Sequence, residues 1–300
     1  MNTFYVPVIS TGRVSVLGRR GDEFVQFIQQ LLQRSKLRRS YIESLTDSQS
    51  IQIYERAFTH ISMNPESNYE YLEILGDVTC NKSIVWYIKE RFPELQNTEG
   101  VKVIARLRIN LVSKKHFSYL ASKLGFMDFI SYEKEIKDTK EKSLLEDVFE
   151  AFFGATELLI DQLLGIGTGY SVCYRLLKSI LDELPISLQY EDLYDPITRL
   201  KETFDYYKQQ LPGRQCPFIW GNLSYENVKT ENKQTVYLYQ IDKKLNKKVT
   251  MSISEASLLD DAKQMAATKV LASLKEQGYQ RPIPEYYLQL QQIKSPTITR

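Results

Sequence analysis

The sequence predicts a mainly α domain followed by a small α+β domain of helix, three antiparallel strands and helix. Three observations carry this. Apolar residues recur at helical spacing through most of residues 22–184. Between Pro185 and Pro196 lies a stretch with Glu191, Asp192 and Asp195 that stops helices on both sides. Beyond it the period shortens to two, then returns to helical spacing at 257–276.

In chain order, residues 1–21 read as irregular, with β-like patches such as Phe4-Tyr5-Val6. Residues 22–35 read as a helix that Asp22 caps, with an apolar stripe of Phe24, Val25, Ile28, Leu31 and Leu32. Lys36, Arg38 and Arg39 follow at its C-terminal end, where cations suit the helix dipole. Residues 1–45 are therefore expected to form an N-terminal extension with one helix. It reads either as a basic arm touching RNA or, preferably, as a solvated element packed on the next domain.

That domain is expected over residues 46–186, with helices near 48–60, 67–91, 99–124, 142–163 and 169–184. Gly125 suits the C-cap of the third. The charged stretch 131–142 reads as a loop. Residues 163–169 read as a glycine-broken connection. They are no phosphate loop, because no Gly-Lys-Ser/Thr follows and no strand precedes.

Residues 187–194 read as a linker and 195–278 as the second domain. Its first helix, 197–210, places Leu200, Phe204 and Tyr207 on one side. Phe218-Ile219-Trp220 and the runs 235–241 and 248–253 read as strands, with Asn246 in the last turn. The closing helix, 257–276, points Ala262, Met265, Ala266, Val270 and Leu274 inward. Residues 279–300, with Pro282, Pro284 and Pro296, read as an extended tail.

A hydrophobic content of 43% with 25% charged residues is globular. A net charge of +2 permits a nucleic-acid partner without requiring one. Cys80, Cys173 and Cys216 are too widely spaced for a zinc pattern and odd in number. An intracellular, cytoplasmic location is expected, since neither a secretory signal nor a membrane-length apolar run is visible.

Two acidic stretches stand out. In residues 68–77, Glu70, Glu73 and Asp77 fall at i, i+3 and i+7 of a helix whose other contacts are apolar. In residues 145–152, Asp147 and Glu150 are i and i+3 beside Leu144, Val148 and Phe152. Two such helices set side by side would gather four carboxylates. Their mutual repulsion and desolvation are relieved by a hard divalent cation. The plainer reading of the same spacing is a solvated helix face.

Glu70-x-Leu72-Glu73-x-Leu75-Gly76-Asp77 resembles the signature helix of the ribonuclease III family. Asp147-x-Phe149-Glu150-Ala151-x-x-Gly154-Ala155 resembles its second acidic helix. Ala57-Phe58-Thr59-His60-x-Ser62, Phe92-Pro93, Glu99-Gly100 and Leu111-Val112-Ser113 agree in order. The resemblance implies a helical catalytic domain that hydrolyses double-stranded RNA, leaving 5′-phosphates, 3′-hydroxyls and short 3′ overhangs. It implies that Glu73, Asp77, Asp147 and Glu150 bind Mg2+ (with Mn2+ able to substitute) and carry catalysis. It implies a homodimer through the signature-helix region, with no membrane and no small-molecule cofactor.

Glu70 matches a supporting glutamate of that motif, while Tyr71 stands where the family usually has arginine. Lys142, one turn before Asp147, is a candidate to neutralise a phosphate. His60 reads as a structural corner and His116 as a helix-surface residue. The alternative is a catalytically silent relative acting as an RNA-binding or ribosome-associated structural protein.

Asp195-Pro196-x-x-x-Leu200-x-Glu202 and Ala262-Lys263-Gln264-x-Ala266-Ala267 resemble the two helices of a double-stranded-RNA-binding domain. That domain usually opens its last helix with lysines, where this chain has Leu259, Asp260 and Asp261 and keeps Lys263. Its usual Gly-Pro-x-His loop is replaced by Glu231-Asn232-Lys233-Gln234. Lys243, Lys244, Lys247 and Lys248 are the other candidate RNA contacts, or else a solvated turn.

Overall fold

The computed structural model describes residues 14–210, 222–230, 233–242 and 247–292. The chain divides into two compact units, Met1–Ile186 and Ser187–Arg300. The first is almost wholly helical; the second packs helices on a three-stranded sheet.

The first unit opens with β1 (Ser15–Val16) and α1 (Asp22–Gln33). Gly21, not Asp22, occupies the N-cap of α1, at φ 70°; Asp22 and Glu23 lie in the first turn, where their charge suits the helix dipole. Phe24, Phe27, Ile28, Leu31 and Leu32 are buried. The Phe27 ring stacks on Phe129 at 4.2 Å and meets Phe58 and Phe126 edge-on, so α1 is fastened into the aromatic core. Arg20 adds backbone bonds to the Phe58 and Phe129 carbonyls.

Next come α2 (Arg39–Leu45), unanticipated from sequence, and α3 (Ser50–Ala57). They lead to α4 (Glu70–Arg91), α5 (Gly100–Leu111) and α6 (Lys114–Lys123). The expected helix over 99–124 is thus two helices. Ser113 takes an extended backbone, and its hydroxyl accepts the His116 N–H at 3.3 Å, capping α6. Gly125 follows α6 in the left-handed region, as its position suggested.

After β2 (Tyr132–Glu133), which pairs antiparallel with β1, α7 runs from Lys134 to Leu164. The charged stretch expected to be a loop is therefore mostly helix, kinked at Lys140. Its charges are tolerated because that end of α7 is largely exposed. The unit closes with α8 (Thr168–Leu181).

The centre of this unit is the crossing of α4 and α7. Gly76 and Gly154 remove the side chains that would separate the helices. A Cβ on Gly76 would overlap the Glu150 carbonyl, and one on Gly154 the Leu72 carbonyl. Cys80 and Ile84 of α4 are buried, as are Val148, Phe149, Phe152 and Phe153 of α7.

The second unit comprises α9 (Tyr190–Leu193), α10 (Pro196–Gln210), β3 (Asn222–Thr230), β4 (Lys233–Asp242), β5 (Lys247–Ala256), α11 (Leu259–Glu276) and α12 (Glu285–Gln292). The sheet order is β3-β4-β5, antiparallel throughout, with an irregularity at Leu238/Tyr239. Val236 and Leu238 of β4 face Leu200, Phe204, Ala262, Ala266, Val270 and Leu274 of the helices. Met265, expected inward, is 45% exposed, and Ala267 is buried beside the expected Ala262 and Ala266.

The stretch read as a linker contains α9, and the tail read as extended contains α12. Tyr287 and Leu290 of α12 are buried, and the Tyr194 and Tyr287 hydroxyls lie 2.9 Å apart. The expected strand at Phe218-Ile219-Trp220 lies outside the described residues, as do Phe4-Tyr5-Val6, Cys216, Glu231-Asn232, Lys243, Lys244 and Asn246. Cys80 and Cys173 are buried and free. Among the described residues no helix is long and apolar enough to cross a membrane.

Candidate active site

Helical spacing places Glu73 and Asp77 one turn apart on α4, and Asp147 and Glu150 one turn apart on α7. The glycine contacts set the two turns against each other. Glu150 is buried, Glu73 and Asp147 are half-buried, and Asp77 is exposed. All four therefore border one seam.

The electrostatics follow from that placement. Burial, then Asp77, Glu146, Glu73 and Asp147, push the Glu150 carboxyl up to about 9. Burial, then Asp147, Glu70, Glu146 and Asp77, raise Glu73 to about 7. Burial raises Asp147 to about 6, against the opposing pull of a hydrogen bond from Tyr69. Glu73 and Glu150 thus each feel acids of the facing helix across the crossing.

Among the described residues, no three His, Cys, Asp or Glu side chains are gathered closely enough to hold an ion as they stand. The donor set is nonetheless all carboxylate oxygen, the chemistry that hard divalent cations prefer. Its shared repulsion is the penalty that such a charge would relieve.

Several neighbours were not legible in the sequence. The Tyr69 hydroxyl donates to Asp147 Oδ2 at 3.0 Å, and Tyr69 is only 2% exposed. Burial and the adjacent Asp147 carboxylate hold that phenol protonated, well above its usual range. Asn81 donates to Asp77 Oδ1 at 2.7 Å and is itself held by Arg108 of α5 at 3.0 Å. The i, i+4 spacing of Asp77 and Asn81 was the one signal available beforehand. Lys114 of α6 pairs with Glu146 at 3.0 Å. Its pKa is raised first by that hydrogen bond and further by Glu146, Asp147 and Glu150.

Lys142, the candidate from the sequence, is exposed on α7. Glu70 is exposed beside the seam and acts electrostatically on Glu73 and His60. His60 is the anticipated corner. Its Nδ1 accepts the Ser62 N–H at 3.0 Å, and its own N–H donates to the Ser131 carbonyl at 2.9 Å. His116 is half-buried rather than on the surface, with Nε2 enclosed, and burial lowers its pKa.

In the C-terminal unit, Lys263 is half-exposed on α11 behind Asp260 and Asp261 in the first turn. Lys247 is exposed. Lys248 pairs with Glu226 at 2.6 Å and lies 3.8 Å from the centre of the Tyr239 ring, so its charge is already engaged. Lys243 and Lys244 fall outside the described residues.

Residues 70–159 match the Ribonuclease III domain family. The chain is 35% identical over 269 residues to a putative ribonuclease 3 of Invertebrate iridescent virus 6, covering 86% of this chain and 89% of that protein. It is 44% identical over 163 residues to a putative ribonuclease 3 of Frog virus 3 (isolate Goorha), covering 54% of this chain and 44% of that one. The nuclease domain of ribonuclease III from Campylobacter jejuni aligns with 54% of this chain and 99% of its own, at 25% identity and a TM-score of 0.40.

Proposed function

The chain belongs to the ribonuclease III family and is an endoribonuclease of that type, and from this premise we propose that it cuts double-stranded RNA with a divalent metal ion. The products are 5′-phosphate and 3′-hydroxyl ends with short 3′ overhangs. What supports the reading is the close backbone approach of α4 and α7 at Gly76 and Gly154, beside the turns that carry Glu73 and Asp77 on one helix and Asp147 and Glu150 on the other.

These four carboxylates would hold the ion, with Mg2+ favoured by their hard oxygen donors and Mn2+ able to replace it. Such an ion lowers the pKa of water and offsets charge at the scissile phosphodiester. The protein's own groups keep the acids in place. Tyr69 orients Asp147 through its hydroxyl, and Asn81 with Arg108 orients Asp77. Lys114 supplies positive charge at the rim. Hydrolysis joins a water oxygen to phosphorus and breaks the bond from phosphorus to O3′, which leaves as the 3′-hydroxyl.

One site per chain cuts one strand, so two chains are needed for a double cut. Tyr71, Ile74 and Val78 recur on one face of α4 and are 58%, 67% and 62% exposed. An apolar stripe of this kind fits burial against its own copy about a twofold axis.

The test is cleavage of a labelled RNA duplex with Mg2+, with Mn2+ and with chelator, using wild type and Glu150→Gln. Cutting by wild type only in the presence of metal, with none by the amide variant, is expected. Equal cutting by the variant, or cutting in chelator, contradicts the reading.

A further inference from the structure

His60 carries a nitrogen that the fold does not use. The Ser62 N–H donates to its Nδ1 at 3.0 Å, and the Ser62 hydroxyl lies 2.8 Å from the same atom while accepting the Glu133 N–H at 3.1 Å. A backbone N–H can only donate, so Nδ1 is the acceptor and the neutral ring has its proton on Nε2. Burial lowers the pKa of the ring, against the opposing pull of Glu70 and Glu133, which favours that neutral form.

The Nε2–H has no hydrogen-bond acceptor among the described residues and, unlike Nε2 of His116, is not enclosed. The half-exposed ring therefore presents solvent with a donor already oriented by the bonds on its other side. The corner itself does not require an imidazole. A short side-chain acceptor such as that of Asn or Ser makes the same contact to the N–H two residues on. The second nitrogen is left without a structural task.

The ring stands beside the acidic seam. The carbonyl of Thr59 accepts the Tyr69 N–H at 3.1 Å, and the imidazole meets the Tyr69 ring edge-on at 5.6 Å. Tyr69 in turn bonds Asp147, so one aromatic ring separates His60 from an acid of the seam. Glu70, Glu133 and Lys140 are the charged groups that act on the imidazole, and Lys140 stands at the kink of α7. With two acids against one cation, these surroundings disfavour a phosphate and suit an uncharged oxygen.

We propose that the Nε2–H of His60 donates to a ribose 2′-hydroxyl of the strand in the seam and so contributes to the choice of RNA over DNA. The 2′-hydroxyl is uncharged, accepts a hydrogen bond and is absent from DNA. A neutral imidazole N–H matches it without adding charge. The inference rests on the reading of the seam as a site for duplex RNA.

The experiment is filter binding of duplex RNA to the non-cutting Glu150→Gln chain with Mg2+. One set of duplexes carries a single 2′-deoxy nucleotide at successive positions about the cut, and a second set carries single methylphosphonates. At one position the 2′-deoxy change should weaken binding about two- to tenfold, the scale of one neutral hydrogen bond. His60→Asn keeps an acceptor for the Ser62 N–H but has no donor in place of Nε2. It should keep the urea midpoint of the parent and lose the penalty at that position. His60→Gln lacks the near acceptor but extends an amide N–H toward the Nε2 position, so it should lower the urea midpoint and retain the penalty. A measurement that leaves His60 unchanged is the 15N–H signal of its ring. Protection of the Nε2 proton from exchange should appear with the all-ribose duplex and not with the duplex that is 2′-deoxy at that position. A parent chain that binds duplex with no sensitive 2′ position, or a penalty undiminished in His60→Asn, overturns the proposal alone. A methylphosphonate penalty that His60→Asn removes assigns the donor to a phosphate and overturns it as well. No binding of duplex at all would remove the reading on which it rests, and the proposal with it.

Discussion

The Tyr69 hydroxyl, set just before the first turn of α4, donates to Asp147 Oδ2 on α7 at 3.0 Å. It is a second tie across the seam that the glycines close, and it acts on an acid directly. Tyr69→Phe keeps the ring and its packing and removes only this bond. Losing a hydrogen bond to a charged group corresponds to roughly a ten- to hundredfold effect. The turnover rate should fall within that range while KM for RNA changes little. Since the bond lowers the Asp147 pKa, its loss should move the acid limb of the pH–rate profile upward. An unaltered rate and profile in Tyr69→Phe would show that the hydroxyl only packs.

A second prediction concerns Gly76. Ala at this position forces its methyl toward the Glu150 carbonyl, a rigid backbone atom on the facing helix. Overpacking of this kind costs about 1–3 kcal/mol. Gly76→Ala should therefore lower the unfolding midpoint in urea. It should also reduce cleavage under conditions where the variant is fully folded, because Glu73 and Asp77 are pushed away from α7. A variant that is destabilised yet cuts normally would mean that the close approach serves stability alone.

The third prediction is a pH dependence of stability without metal. Glu150, Glu73 and Asp147 bind protons in the folded chain up to about 9, 7 and 6. Unfolded carboxyls release theirs near pH 4. Between those limits the folded state holds more protons, so stability falls as pH rises from about 5 toward 9. A divalent cation relieves the same repulsion. Mg2+ should therefore raise the melting temperature more at pH 8 than at pH 6. Calorimetric scans at both pH values, with and without Mg2+, decide it; equal shifts would detach the carboxyls from metal binding.

How far this was legible beforehand depended on the range of the interaction. Carboxylates at i, i+3 and i, i+4 declare a shared helix face, so the candidate site could be proposed from spacing together with the family resemblance. Tyr69 and Lys114 act on residues far along the chain, and no local pattern announces such pairs. The break between α5 and α6 hung on Ser113 as a cap inside an otherwise continuous apolar period. The N-terminal stretch of α7 was misread because charge suggested a loop, although Lys and Glu are good helix formers on an exposed face. In the second unit the helix–strands–helix order was readable. On the inward face of α11, Ala262, Ala266, Val270 and Leu274 are buried as expected, while Met265 is exposed and Ala267 is buried in its stead.

Assembly gives the fourth prediction. Ile74 is 67% exposed at the middle of the apolar stripe on α4. Ile74→Glu places a charge there without touching the buried face of the helix. Light scattering should register a dimer for wild type and a monomer for the variant at micromolar concentration, with double-strand cutting lost in parallel. A wild-type monomer with full activity would remove the case for this surface.

The last prediction concerns α11, whose first turn carries Asp260 and Asp261. Duplex RNA is held largely through phosphates, and two carboxylates at a helix N-terminus repel them where the helix dipole would attract. The pairing of Lys248 with Glu226 engages one of the nearby cations. The C-terminal unit should therefore add little affinity and little salt dependence. Leu259→Lys with Asp260→Lys, made in the non-cutting Glu150→Gln chain, should raise duplex affinity. It should steepen the slope of log affinity against log salt by about 0.7–0.9 for each phosphate contact regained. Filter binding across a salt series reads both quantities. If the parent chain already binds with a slope that falls sharply when this unit's other lysines are replaced, phosphate contacts elsewhere in the unit compensate. The acidic start of α11 would then not weaken the domain.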